Sequence, residues 1–413
     1  MLHNPAIKPH LTNKVVCAPV IVAALGNFVD IYDLMLFGIV RVRSLQDLGL
    51  AGSDLLDQGI FLLNIQMIGM LVGGVICGVL GDKRGRLSAL FGSILLYSLA
   101  NLANAHVTSM TSYSLLRFLA GVGLAGEMGA GITLVSEILN PAKRGYGTAV
   151  IVAFAILGAM AAAIVGENFD WRLSYTIGGV LGLIVFATRF AVHESGLYVQ
   201  IQASSIARGN FFSLFTNGRR LVRYLCSILV GLPIWFVVGI LVTFSPEFAS
   251  ALHINGPVTV ARTIIYCNSG MIFGCASCAY LSHRLESRRA VLKIFLGLMT
   301  LAIAVYFTAS HWRVASFNAL IVILGFTTGY TVIYFTVAAE QFGTNLRATV
   351  ATTVPNFVRV TVVPMTLIFQ LLKQHIGPLA SAGVVGAVCL LLAIAAIHGI
   401  KETFGQSLDF IET

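Results

Sequence analysis

Several apolar runs in this chain are too long for the core of a soluble domain. Residues 15–26, 87–100 and 377–400 contain no Asp, Glu, Lys or Arg. A bilayer core is crossed by about 20 helical residues, so each run is all or part of a spanning segment. Backbone groups in hydrocarbon must bond within the segment, which makes these runs helices. The composition points the same way, with 57% hydrophobic and 10% charged residues in a 413-residue chain, far from soluble usage. The expected fold is therefore an all-α integral membrane protein.

Reading apolar runs against their polar interruptions predicts twelve helices, near 14–40, 58–80, 87–105, 111–136, 146–166, 171–190, 221–245, 259–281, 290–309, 314–338, 348–372 and 379–400. The longest internal polar stretch, 193–220, falls near the middle. It divides the chain into a six-helix bundle at 1–192, a cytoplasmic linker at 193–220 and a second six-helix bundle at 221–413.

The formal charge of +9 would suit a nucleic-acid partner only if the basic residues shared one soluble face. They lie instead in short clusters between the apolar runs, so no nucleic-acid partner is expected. With the N-terminus in the cytoplasm, the inside holds Lys83, Arg84, Arg86, Lys143, Arg144, Arg189, Arg208, Arg219, Arg220, Arg223, Arg284, Arg288, Arg289, Lys293 and Arg347. The outside keeps Arg41, Arg43, Arg172, Arg262, Arg313 and Lys373. This excess predicts both termini cytoplasmic, in a multi-pass protein of the inner (cytoplasmic) membrane. No cleavable signal peptide stands out. The seven Cys lie almost wholly in apolar stretches, as packing thiols rather than a disulfide framework.

An internal repeat supports the division. Glu137 and Arg144 recur as Glu340 and Arg347, and Arg86 as Arg289, each 203 residues on. Six helices in each half then give parallel repeats related by an axis along the membrane normal. At the same offset Asp33, Arg117 and Glu127 correspond to Phe236, Leu320 and Tyr330.

The loop sequences carry a family likeness. GDKRGR at 81–86 resembles the loop between the second and third helices of the major facilitator superfamily, and SHRLESRR at 282–289 keeps the basic end without the Gly-Asp. RFLAGVGLAGE at 117–127, SEILNPAKRG at 136–145, EQFGTNLRA at 340–348 and KETFGQSLDF at 401–410 resemble the sugar-porter and metabolite:proton-symporter branches. The likeness covers essentially the whole chain. The loop charges make a candidate cytoplasmic gate: Asp82, Arg86, Glu137 and Arg144 in one half, Arg289, Glu340 and Arg347 in the other. Charge-assisted contacts among them would hold one state and break as the halves rock.

Two short motifs mislead. Gly121-Val-Gly123-Leu-Ala-Gly126 spells a dinucleotide fingerprint but lies inside a helix with no preceding strand, where small residues serve close packing. Cys275-Ala-Ser-Cys278 has no second pair to complete a zinc site. No metal, no cofactor and no nucleophile–base set is expected, which argues against an enzyme.

Five charged side chains remain well within predicted helices: Asp30, Asp33, Arg117, Glu127 and Arg359. An ionisable residue inside a membrane is a functional candidate by default. Asp30 and Asp33, three apart, share one face of the first helix. Counting about 1.5 Å per residue brings Asp33 and Arg117 to similar depth, roughly 10 Å from the outer ends, so they can pair. Tyr32-Asp33 resembles the Tyr-Asp of proton-coupled sugar porters, and Arg117 the Arg that begins their fourth-helix glycine motif. That resemblance implies a proton-binding carboxylate gated by the Arg, since a nearby Arg favours the ionised carboxylate and burial the neutral one. Asp30 is the alternative titrating residue. Glu127 resembles the Glu after paired glycines in metabolite:proton symporters, although Ala125 replaces one glycine, and is a second proton site or an anchor for a cationic group. Arg359, near the midplane where such carriers bind substrate, would hold an anion or pair with Asp30 or Glu127. Trp235, Asn268, Tyr330, Tyr334 and Asn356 accompany it as candidate substrate contacts.

The expected function is a proton-coupled symporter, acting as a monomer, that imports a small organic acid or zwitterion. An efflux antiporter is the rival within the fold, but 149–166 lacks the Pro of the efflux motif. A non-transporting sensor on the same fold is the rival of another class.

Overall fold

The computed structural model describes residues 13–84, 86–127, 141–193 and 214–405. Among them every regular element is a helix, and the one isolated β-bridge joins Asn255 and Arg313. The helices are α1 (Asn13–Asp47), α2 (Asp54–Arg84), α3 (Arg86–Asn104), α4 (Met110–Leu124), α5 (Pro141–Asn168), α6 (Trp171–His193), α7 (Gly218–Leu229), α8 (Leu232–Phe236), α9 (Ser245–Ala251), α10 (Val260–Leu285), α11 (Arg288–Thr308), α12 (Val314–Thr328), α13 (Thr331–Glu340), α14 (Thr344–Val360) and α15 (Val362–Gly399). A π-helical turn at Val237–Val242 follows α8.

Nine stretches among the described residues are long and apolar enough to cross a membrane. One of them, Thr353–Gly399, has 47 residues and would be about 70 Å long if straight, more than twice a bilayer core of about 30 Å. It bends at Gly377, whose φ of 78° departs from the helix just before Pro378.

The uncharged runs place the helices, but their ends and breaks depend on particular residues. Ser109, Asn217, Thr259 and Ser287 cap α4, α7, α10 and α11, each side chain accepting from a backbone N–H of the first turn. The predicted helix at 221–245 is broken into α7, α8 and the π turn, with Pro233 at the start of α8. The helix at 314–338 breaks at Gly329–Tyr330, and that at 348–372 at Thr361. In the other direction, α1 runs on to Asp47 rather than ending near 40. Arg41, expected outside the bilayer end of that helix, is consequently inside it and fully buried.

Helices α1–α6 pack chiefly on one another, as do α7–α15, and the two sets meet where α5 lies on α10 and α2 on α14 and α15. One crossing is built twice. Gly69 and Gly73 of α2 press on the backbone carbonyls of Phe118 and Val122 of α4, while Gly121 presses on that of Gln66. Gly270 and Gly274 of α10 press likewise on the carbonyls of Val322 and Phe326 of α12, with Gly325 against that of Cys267. Any Cβ at these positions would strike backbone, so the crossings demand glycine. This contact pattern equates Gly121 with Gly325 and corrects the residue matching. The counterparts of Arg117 and Glu127 are Ile321 and Thr331, one position beyond those that the 203-residue loop offset gives.

Candidate substrate and proton site

The buried charges gather between the two sets of helices. Arg359, at the end of α14, donates from Nη2 to Asp30 Oδ2 of α1 over 3.1 Å, and both side chains are buried. Its guanidinium carbon lies 5.8 Å from the ring centre of Trp235 on α8, within the range of cation–π attraction. Nη1 of Arg359 and Oδ1 of Asp30 are buried without a hydrogen-bond partner. Asn356, one turn earlier on α14, donates to the carbonyl of Ala125 over 3.2 Å and so ties α14 to the end of α4. Glu127, just beyond, is buried within electrostatic reach of Asp30.

A second charged pair lies within α1–α6. Arg117 Nη1 of α4 is 3.6 Å from Asp33 Oδ1, with both side chains fully buried. The guanidinium sits over Phe37 at 4.8 Å and Tyr175 at 5.6 Å, and its Nη2 donates to the side-chain oxygen of Gln66 on α2. Tyr113 and Tyr175 bond to each other at 2.9 Å, and Tyr113 to Ser44 at 3.1 Å. Asp30 and Asp33, expected on one face, therefore address different partners across different interfaces.

The remaining candidates divide. The Tyr330 hydroxyl donates to the carbonyl of Val230 over 2.9 Å, closing the gap between α7 and α8. Tyr334 packs on Tyr330 and against Gly231, its hydroxyl buried and without a hydrogen-bond partner. Asn268 turns back to its own helix, donating to the carbonyl of Ile264 over 2.9 Å, and no hydrogen bond among the described residues joins it to Arg359.

Of the gate residues, the side chains of Asp82, Arg86, Arg144 and Arg347, and the whole of Glu137, lie outside the described residues. Glu340 pairs at 2.8 Å with Arg288, not with the expected Arg289. Arg289 reaches the carbonyl of His398 instead, and its backbone N–H donates to Glu402. The reason is local: Glu402 caps α11 by accepting from Ser287 and from the backbone N–H groups of Arg288 and Arg289. That cap holds the first turn of α11 with the Arg288 side chain, not that of Arg289, towards Glu340.

Three ion pairs join the two sets of helices where α1 and α5 end and α2 and α10 begin. Arg41 binds Glu247 of α9, Lys373 of α15 lies 2.9 Å from Asp57, and Arg262 of α10 lies 3.2 Å from Glu167. Between this end and the charged centre, Thr366 donates to Asn64 over 2.6 Å. Gln66, Asn64 and the Arg41–Glu247 pair are absent from the sequence-based candidates. A neutral amide in an apolar run is a weak signal, and Arg41 was separated from the core by a helix end placed too early.

Buried, paired charges within and between two packed sets of long apolar helices are an arrangement suited to a membrane carrier. Residues 23–357 match the profile of the Major Facilitator Superfamily, and the chain belongs to that family. It is a multi-pass membrane transporter, not an enzyme. The niacin transporter NiaP of Acinetobacter baylyi is 31% identical over 182 residues, 43% of this chain and 40% of that protein. A putative niacin/nicotinamide transporter NiaP of Bacillus subtilis is 24% identical over 94% of this chain and 96% of its own length. The 3-(3-hydroxy-phenyl)propionate transporter of Escherichia coli is 26% identical over 72% of each chain. Among solved structures, a D-xylose-proton symporter superposes with a TM-score of 0.71 at 16% identity, covering 95% of this chain and all of that one.

Proposed function

We propose that this transporter is a proton-coupled symporter that imports a small aromatic carboxylate, with Arg359 as the anchor for the substrate's anionic group. The Asp30–Arg359 pair carries the proposal. Arg359 is a buried guanidinium held by one carboxylate, with a second N–H arm unpartnered and the face of Trp235 beside it. An incoming carboxylate can take both arms in a bidentate contact, and an aromatic ring suits a site walled by Trp235. Two relatives, matched over 94% and 72% of this chain, are named for niacin or nicotinamide and for 3-(3-hydroxy-phenyl)propionate; niacin and the propionate are aromatic carboxylates.

Competition at Arg359 supplies the coupling. A substrate carboxylate that displaces Asp30 leaves a buried carboxylate without its counter-charge, a situation that favours the protonated form. Substrate and proton are then loaded together. When the substrate leaves, Arg359 reclaims Asp30 and the proton is expelled. Asp33, beside Arg117, is the second proton-binding carboxylate, with Glu127 near the Asp30 site; Asn356, Tyr330 and Tyr334 shape the α14 and α13 walls of the substrate site. The architecture for this cycle is twelve helices in two six-helix bundles, 1–192 and 221–413, joined by 193–220. Both termini are cytoplasmic, and the protein works as a monomer in the inner membrane. Asp82, Arg86, Glu137, Arg144, Glu340 and Arg347 form the cytoplasmic gate, with Arg288 in place of Arg289 as a partner of Glu340.

Purified protein in proteoliposomes should accumulate radiolabelled nicotinate when the interior is made alkaline. Asp30→Asn should exchange nicotinate across the membrane but not accumulate it, and Arg359→Gln should do neither. Uptake indifferent to the pH gradient would remove the proton, and nicotinate binding unchanged by Arg359→Gln would remove the anchor.

A further inference from the structure

At 3.6 Å, Asp33 and Arg117 attract one another as charges but make no hydrogen bond. Both oxygens of Asp33 are buried without a hydrogen-bond partner. The hydrogen bond that Arg117 does make goes to Gln66. A buried guanidinium that loses its counter-charge needs another acceptor, or it is left with the whole cost of its desolvation. A neutral amide oxygen meets that need without adding a second anion.

The placement of Gln66 is fixed by the glycine crossing. Its backbone carbonyl lies against Gly121 of α4, one turn from Arg117 on the same helix. Its buried Nε2 makes no hydrogen bond, so the side chain is held by Arg117 through Oε1 alone. The other titratable and charged groups around the pair offer Arg117 no comparable acceptor. Asp30, one turn back on α1, is engaged with Arg359. Tyr113 of α4 and Tyr175 of α6 bond to each other, and the Tyr32 hydroxyl donates to the carbonyl of Ser174. Asn101 of α3 is beside Asp33 and uncharged. From α5, Glu167 stands at the helix end with Arg262.

We infer that Gln66 is a positioning residue for the proton site, holding Arg117 whenever Asp33 is protonated and so setting how readily Asp33 takes up its proton. This rests on the proton-coupled reading above, and the test separates the two.

Infrared difference spectra of the full chain in nanodiscs, taken across a pH series without substrate, read the C=O band of a protonated carboxyl. The band belonging to Asp33 is the one lost in Asp33→Asn. In Gln66→Leu, Arg117 has only Asp33 to hold, and the band should titrate about one pH unit lower, a tenfold weaker uptake of the proton. In Gln66→Glu, which keeps the side-chain shape, an added carboxylate draws Arg117 away. The band should then titrate at higher pH, read against the same substitution in an Asp33→Asn background. A merely structural role would not move the band in opposite directions. Unchanged midpoints, or shifts of the same sign in both variants, overturn the role of Gln66 and leave the proton reading standing. A wild-type protein with no band assignable to Asp33 overturns Asp33 as a proton site, and the role of Gln66 with it.

Discussion

Arg359 has one guanidinium arm on Asp30 and one with no hydrogen-bond partner, and this asymmetry has a measurable consequence. Removing one partner of a buried ion pair strands the other charge and costs about 3–5 kcal/mol, whereas neutralising both costs much less. Asp30→Asn and Arg359→Gln should therefore each lower the melting temperature in detergent. The double variant should recover part of the loss, a coupling that a double-mutant cycle isolates; additive losses would show that the pair is not coupled. This site was legible as charge. Asp30, Asp33, Arg117, Glu127 and Arg359 stand out because nothing else charged interrupts those runs. Their pairing was only half legible, because depth along two helices can be counted from sequence but contact between distant helices cannot. Asp33 with Arg117 follows from depth; Asp30 with Arg359, 329 residues away, was one of two alternatives. Gln66 gave no such signal, since its importance comes from the residue it faces.

Elements were legible in type wherever apolar length decides them, and illegible where backbone geometry does. The breaks around α8 and at Gly329 lie inside uncharged stretches, and that at Thr361 lies two residues beyond Arg359 with apolar residues on both sides, so hydropathy averaged along the run passes over them. The glycine crossings show how tightly those runs are placed. Gly73→Val would drive its side chain into the backbone at Val122. Overpacking of this kind costs about 1–3 kcal/mol, seen as a lower melting temperature, while Gly74→Val, with open space at its Cβ, should leave melting unchanged. The end of α15 supplies a pH-dependent contact. Burial alone would raise the carboxyl of Glu402, but hydrogen bonds from Ser287 and from the backbone of Phe404, Arg288 and Arg289 pull it down to about 2. Since an unfolded Glu titrates near about 4.3, the cap's stabilisation is fully present above that value and is lost as pH falls towards 2. The melting temperature of Glu402→Gln should lie below wild type at pH 7, and the gap should close on acidification below about pH 5.

For the molecule as a whole, three ion pairs link the two sets of helices at the end where α1 and α5 terminate. They differ in burial. The Arg262 side chain is 59% exposed and that of Asp57 47%, while Arg41 is wholly buried beneath Phe244 and against Gly59. Exposed pairs contribute about 0–1 kcal/mol and weaken with salt, so Arg262–Glu167 and Lys373–Asp57 act as a rim. Breaking the buried pair costs several times more. Glu247→Gln would leave Arg41 without its counter-charge, held only by neutral acceptors such as the carbonyl of Leu55, a loss incurred only while this end is closed, since an open end admits water to the guanidinium. The substitution should therefore shift the population towards the state open at this end rather than simply unfold the protein. Spin labels at Asp54 and Gln374, exposed positions on helices from the two sets, would report the change: a single short distance distribution in wild type, and a second, longer one in Glu247→Gln. Arg262→Gln should leave the distribution almost unaltered. If both substitutions open the end equally, closure is shared among the pairs; if neither does, it rests on contacts such as Thr366 with Asn64, and Arg41 serves only the packing of α1.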